Sequence, residues 1–247
     1  MPIPNPIAFT IFNLDIRWYA ILVTLGIVVA GCLIYFRAPK HELEGDKLFN
    51  FMIICVPVAI IGARAYYVIF NWNMYSGDIF KIINTRAGGL AIHGGLIAGF
   101  GMCAILCYIW HVRPLNLLDL CAPAVAMGQC IGRWGNYFNS EAHGGPTDLP
   151  FAVTVDGATY HPTFLYESIW CFILFWILLY IDNHRKFEGQ TILLYGILYS
   201  IERFLVEGLR TDSLMIGSLR QAQVISIVII VVCGLCYFLM NRRAQKR

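Results

Sequence analysis

Three short stretches of this sequence hold most of the side chains able to do chemistry. The densest runs from Gly132 to Asp148, G-R-W-G-N-Y-F-N-S-E-A-H-G-G-P-T-D. The planar, permanently charged guanidinium of Arg133 suits a phosphate. Asn136, Asn139 and Glu141 follow it closely, an expensive set at a bilayer edge unless they bind a ligand or each other. The interleaved glycines, Gly144 among them, let backbone approach a ligand or take a positive φ. The same residues also fit a plainer arrangement, a loop cap in which Arg133 pairs with Glu141.

The second stretch, Gly88 to Leu96, places four glycines around His93 where a loop enters a helix. Free N–H groups there favour an anion, although a histidine at such a place is also an ordinary interfacial residue. The third comprises Tyr195, Tyr199, Glu202, Arg203, Glu207 and Arg210. Tyr199, Arg203 and Glu207 recur every fourth residue and share one helical face. That face belongs against a bundle interior or a water-filled cavity, not against lipid. Its alternative is an internal strut, with Arg203 paired to Glu207 or Glu202. Arg64 and Asp119 read first as struts too. Tyr19, in Arg17-Trp18-Tyr19, reads as an aromatic-belt anchor, and Pro162 opens a helix whose first turns contain Glu167. Arginines, a histidine, glutamates and tyrosines together fit an anionic lipid headgroup better than a soluble substrate.

The elements that carry these residues are apolar. The chain has 247 residues, 58% hydrophobic and 13% charged, and a mean hydropathy of +0.65. Soluble domains carry about 25% charged residues, so the chain has about half the charge a water-facing surface needs, and a disordered regulator and a disulfide-stapled secreted mini-protein are both excluded. A net charge of +3 is too slight to argue for nucleic acid. Apolar runs at 18–37, 49–70, 91–110, 116–132, 164–182, 190–207 and 223–240 predict about seven spans. The fold class is therefore an all-α polytopic membrane protein, a single membrane domain over 1–247. A small external head at 133–163 contains a short β-hairpin, signalled by Asp156-Gly157. Met1 to Ile16, with Pro2, Pro4 and Pro6, reads as an interfacial segment rather than a cleavable signal peptide. With the N-terminus outside, ten of the 18 basic residues fall on the inner side and six, Arg86 among them, on the outer; this asymmetry predicts a cytoplasmic C-terminus. All nine cysteines lie in apolar runs and read as small buried hydrophobes. A non-catalytic lipid carrier or small transporter is the competing class, and the lack of a visible internal repeat counts against it.

The chain resembles the bacterial phosphatidylglycerol–prolipoprotein diacylglyceryl transferases. Gly132 to Gly144 matches that family's signature, G-R-x-G-N-[F/Y]-x-N-x-E-x-x-G. Arg17-Trp18-Tyr19, Gly62-Ala63-Arg64, His93-Gly94-Gly95-Leu96, Leu118-Asp119 with Ala122-Pro123, Pro146 to Pro150, His161-Pro162-Thr163 with Tyr166-Glu167, and Tyr199 through Arg210 match in the same order, from about residue 17 to about 212. The resemblance implies transfer of the diacylglyceryl group of phosphatidylglycerol to the lipobox cysteine thiol of a prolipoprotein in the bacterial inner membrane. Glycerol 1-phosphate is released, and no cofactor or metal is implied. The nucleophile then belongs to the substrate, so the chain's own cysteines can stay buried. On this reading Arg133 and Arg203 bind the phosphate and its departing product. His93 is the first choice of base, with Glu141 or Glu207 as rivals. Tyr19, Asn136, Asn139 and Tyr199 place headgroup oxygens, Gly144 allows a tight backbone turn, and Arg210 adds to substrate binding.

Overall fold

The computed structural model describes residues 1–246 except 3, 13, 86–87, 212–214 and 218. Arg86 and Arg247 of the charge count, and Asp212 at the end of the matching region, lie outside the described residues. The elements are β1 (Ile7–Ile11), β2 (Leu14–Arg17), α1 (Trp18–Arg37), α2 (Gly45–Phe70), α3 (Trp72–Tyr75), α4 (Ile79–Ile83), α5 (Ile92–Ile109), α6 (Pro114–Phe138), β3 (Val153–Val155), β4 (Ala158–Tyr160), α7 (Thr163–Asn183), α8 (Gln190–Glu207), β5 (Met215–Ile216), β6 (Leu219–Arg220) and α9 (Gln221–Gln245). Among the described residues six helices, α1, α2, α5, α6, α7 and α9, are long and apolar enough to cross a membrane. The expected seventh, α8, is a helix of 18 residues that carries Glu202, Arg203 and Glu207. Its polar stripe separates it from the six.

The chain forms two compact units, residues 1–34 with 118–247, and residues 35–117. In the second unit α2 and α5 pack backbone to backbone. A Cβ on Gly94 would sit 2.4 Å from the Gly62 carbonyl oxygen, and one on Gly62 would sit 2.8 Å from the Gly94 carbonyl oxygen. Small residues at both positions are what that approach requires. Arg64, 7% exposed, organises the segment between these helices. Its guanidinium donates to the carbonyls of Lys81 (2.7 Å), Ile82 (2.8 Å), Gly88 (2.9 Å) and Gly89 (2.8 Å) and lies 4.9 Å from the Tyr75 ring. Its strut role is fulfilled by backbone oxygens instead of acids.

In the first unit Ala122, Ala126, Leu174, Phe175 and Leu178 form a buried cluster between α6 and α7, with Tyr195 and Tyr199 of α8 packed against it. Asp119, fully buried, accepts from the backbone N–H groups of Gly189 (2.7 Å) and Ile192 (2.9 Å), and Arg185 lies 3.4 Å away. It caps α8, satisfying donors that the first helical turn leaves open. β3 and β4 pair antiparallel across Asp156 (φ 49°) and Gly157 (φ 83°). Two positive φ values in a two-residue turn are the geometry that Asp-Gly favours. The β1–β2 and β5–β6 hairpins and the short α3 and α4 lie outside the sequence expectations.

Cys107 and Cys171 are buried, as small hydrophobes would be, but Cys32 and Cys236 lie on exposed faces of α1 and α9. Among the described residues no three His, Cys, Asp or Glu side chains are grouped to hold a metal ion.

Candidate active site

The first half of the Gly132–Asp148 stretch is helix, because α6 continues to Phe138. Its aromatic residues explain the extension. Trp134 and Tyr137 pack on Phe164 of α7 at 5.4 and 5.0 Å between ring centroids, and Phe138 stacks on Trp18 at 5.2 Å. Polar contacts fix the register between the two helices. Trp134 Nε1 donates to Ser168 Oγ (3.1 Å), which donates to the Cys130 carbonyl (2.8 Å).

This register sets Arg133 of α6 against Glu167 of α7, with 2.5 Å between Nη2 and Oε2. Glu167 is 1% exposed, and its other oxygen accepts from Arg203 Nη1 of α8 at 2.9 Å. Arg203 Nη2 reaches Glu207 Oε2, one turn along, at 2.8 Å. Arg133 Nη2 also donates to the Tyr199 hydroxyl (3.1 Å), whose ring stacks on Tyr195 at 5.6 Å. Three helices thus contribute two arginines held by two acids. Each arginine side chain keeps 21% of its surface accessible while Glu167 is closed off. Such a pair offers preorganised donors to an incoming phosphate.

The other residues expected at the site fall into smaller groups. Arg133 does not form the loop cap with Glu141. That carboxylate lies beyond the end of α6 and instead receives Asn136 Nδ2 (3.1 Å) and Asn139 Nδ2 (3.3 Å), while Arg133 faces α7. Tyr19 lies against Gly135, where a Cβ would meet its ring at 2.8 Å. Gly144 is buried where two chain segments converge. Its N–H donates to the His161 carbonyl (2.9 Å), it forms an isolated bridge with Arg210, and the next N–H, that of Gly145, donates to the Leu209 carbonyl (2.9 Å). Close backbone packing therefore accounts for a glycine at 144. His93 belongs to the second unit, exposed, with its ring 6.3 Å from that of Tyr66. Around it Gly88 and Gly89 clamp Arg64 and Gly94 packs on α2, so helix packing and the arginine cage account for three of these glycines.

Glu167 is the residue that sequence reasoning left without a role. Its signals were its place in the family match with Tyr166 and an acid in the first turns of an apolar helix, a position that calls for a partner.

The description "Prolipoprotein diacylglyceryl transferase" belongs to a family model that matches residues 6–240. Three proteins called phosphatidylglycerol–prolipoprotein diacylglyceryl transferase are similar to this chain along most of its length. The Finegoldia magna protein is 49% identical over 226 residues, 91% of each chain. That of Clostridioides difficile is 49% identical over 222 residues, 90% of each. That of Clostridium novyi is 48% identical over 237 residues, 92% of each. This chain belongs to the prolipoprotein diacylglyceryl transferase family.

Proposed function

We propose that the chain transfers the diacylglyceryl group of phosphatidylglycerol to the lipobox cysteine of a prolipoprotein. The observation that carries this reading from the geometry is the Arg133–Glu167–Arg203 bridge, and the relatives' names supply the substrates. The cysteine sulfur forms a bond to the terminal glyceryl carbon of the diacylglyceryl group. The C–O bond to phosphate breaks, and its electron pair leaves with glycerol 1-phosphate. Charge accumulates on the phosphate as that bond breaks. Donors already oriented toward it stabilise the transition state, and removing one costs about 100- to 1,000-fold in rate in comparable anion sites.

A free thiol ionises at about pH 8.5, so loss of its proton needs a base or a positive field. His93 is our first choice of base, with Glu141 and Glu207 as rivals; Glu207 is engaged by Arg203 and Glu141 by two asparagines. Asn136, Asn139, Tyr19, Tyr199 and Arg210 orient the headgroup, and Gly144 lets the backbone close behind it. The chain acts as a single multi-pass domain of the bacterial inner membrane, N-terminus outside and C-terminus cytoplasmic, with 133–163 as its external head. The excess of basic residues on the inner side supports that orientation.

Incubating purified protein with phosphatidylglycerol and a lipobox peptide, then weighing the peptide, tests the reading. A gain of one diacylglyceryl mass is expected. Lipid binding without mass gain would turn the reading toward a carrier. Wild-type rates for His93→Gln across about pH 6 to 9, where an ordinary histidine changes charge, would remove His93 as the base.

A further inference from the structure

Glu202 differs from the other acids of α8. It is 5% exposed, and both carboxylate oxygens are buried with no hydrogen-bond partner among the described residues. The neighbouring arginines are already matched, Arg133 by Glu167 and Arg203 by Glu167 and Glu207. Yet Glu202 is within electrostatic reach of both arginines and of Glu167. Three residues before it on α8 is Tyr199 and seven before is Tyr195, so the three share a helical face. A buried acid with neither oxygen bonded is among the least favourable groups a fold retains. Buried polar atoms normally have partners, so two orphaned acceptors beside a phosphate clamp point to a ligand that brings two donors.

We infer that Glu202 recognises the free glycerol end of the phospholipid headgroup, its two oxygens accepting hydrogen bonds from the two hydroxyls. The inference rests on the transferase reading above and adds the group that selects the donor lipid. Arginine side chains are donors only and cannot receive an O–H. Glu167 and Glu207 are committed to arginines. Glu202 retains two free oxygens, matching hydroxyls on adjacent carbons. It takes no part in bond breaking; it holds the part of the lipid that departs with the phosphate. A site built around a substrate hydroxyl discriminates strongly against the analogue lacking it, because its own polar group is then left unpaired.

The test compares phosphatidylglycerol with phosphatidylpropanol, which has the same phosphate and no headgroup hydroxyl, as donors to a lipobox peptide. Wild type is expected to prefer phosphatidylglycerol about 10- to 100-fold in kcat/KM, chiefly through KM. Glu202→Ala brings that ratio toward one, and Glu202→Gln, which keeps one acceptor, gives an intermediate ratio. The melting temperature of the ligand-free Glu202→Gln protein stays at or above the wild-type value, because an unpartnered buried acid has been removed. Should Glu202→Ala not fold, Glu202→Gln carries the same comparison. An unchanged donor ratio in the variants, a wild type without preference, or a proportional loss with both donors and a lowered melting temperature overturns the inference alone. No transfer by the wild type from either donor removes the transferase reading and this inference with it.

Discussion

Glu167 lies 2.5 Å from Arg133, across the interface between α7 and α6, and 1% of its surface is exposed. Its second oxygen holds Arg203, so one buried acid fixes both guanidinium groups. Without it, two arginines on different helices would repel one another and spread their forks. Glu167 therefore shapes the arginine pair proposed above to bind the phosphate.

Glu167→Gln removes the charge that this pair needs. Breaking a buried ion pair on one side costs about 3–5 kcal/mol. A lowered melting temperature in detergent and at least about a 100-fold loss of transfer are expected, with Glu167→Asp in between. Unchanged transfer would show that the arginines keep their geometry without the bridge.

Arg203 uses separate nitrogens for Glu167 (2.9 Å) and Glu207 (2.8 Å). A lysine keeps the charge but offers a single point, so the fork geometry is lost. Arg203→Lys should lower kcat by about 100-fold, or about 2.7 kcal/mol, in the peptide-mass assay. Near-normal kcat would mean that Arg203 serves as a point charge.

Asp119 makes the opposite case, a buried acid whose partners all belong to the start of α8 and the turn before it. Asp119→Ala leaves the N–H groups of Gly189 and Ile192, and Arg185, without that acceptor and should cost about 2–4 kcal/mol of stability. The folded fraction should keep the wild-type KM for phosphatidylglycerol. A changed KM with an unchanged melting temperature would place Asp119 in substrate binding instead.

These cases show how much of the molecule was legible. Apolar runs located the long helices, and Asp156-Gly157 located the β3–β4 hairpin, because both signals are local. The Arg203–Glu207 pair within α8 was legible, since the two stand one turn apart, but the pairing of charges between helices was not. From composition Glu141 was the nearest acid to Arg133, but the continuation of α6 through Trp134 and Phe138 turned Arg133 toward α7. Ion-pair partners on different helices depend on helix register, which a single sequence does not encode in its spacing. The glycines around His93 misled for a related reason, since anion binding and close helix packing ask for the same residue.

That ambiguity can be tested on α5 itself. At Gly94 a Cβ would come within 2.3 Å of the Tyr66 Cβ and 2.4 Å of the Gly62 carbonyl oxygen, whereas at Gly101 nothing lies within 4 Å. Overpacking of this kind costs about 1–3 kcal/mol, while alanine in an open helical position contributes about 0.5–1 kcal/mol over glycine. Gly94→Ala should therefore lower the melting temperature, and Gly101→Ala should hold or raise it. If the glycine at 94 serves packing, lipid analogues of the donor will restore neither stability nor transfer to Gly94→Ala. If Gly94→Ala instead melts like the wild type and only the KM for phosphatidylglycerol rises, the glycine serves ligand approach, and the close contact between α2 and α5 is incidental.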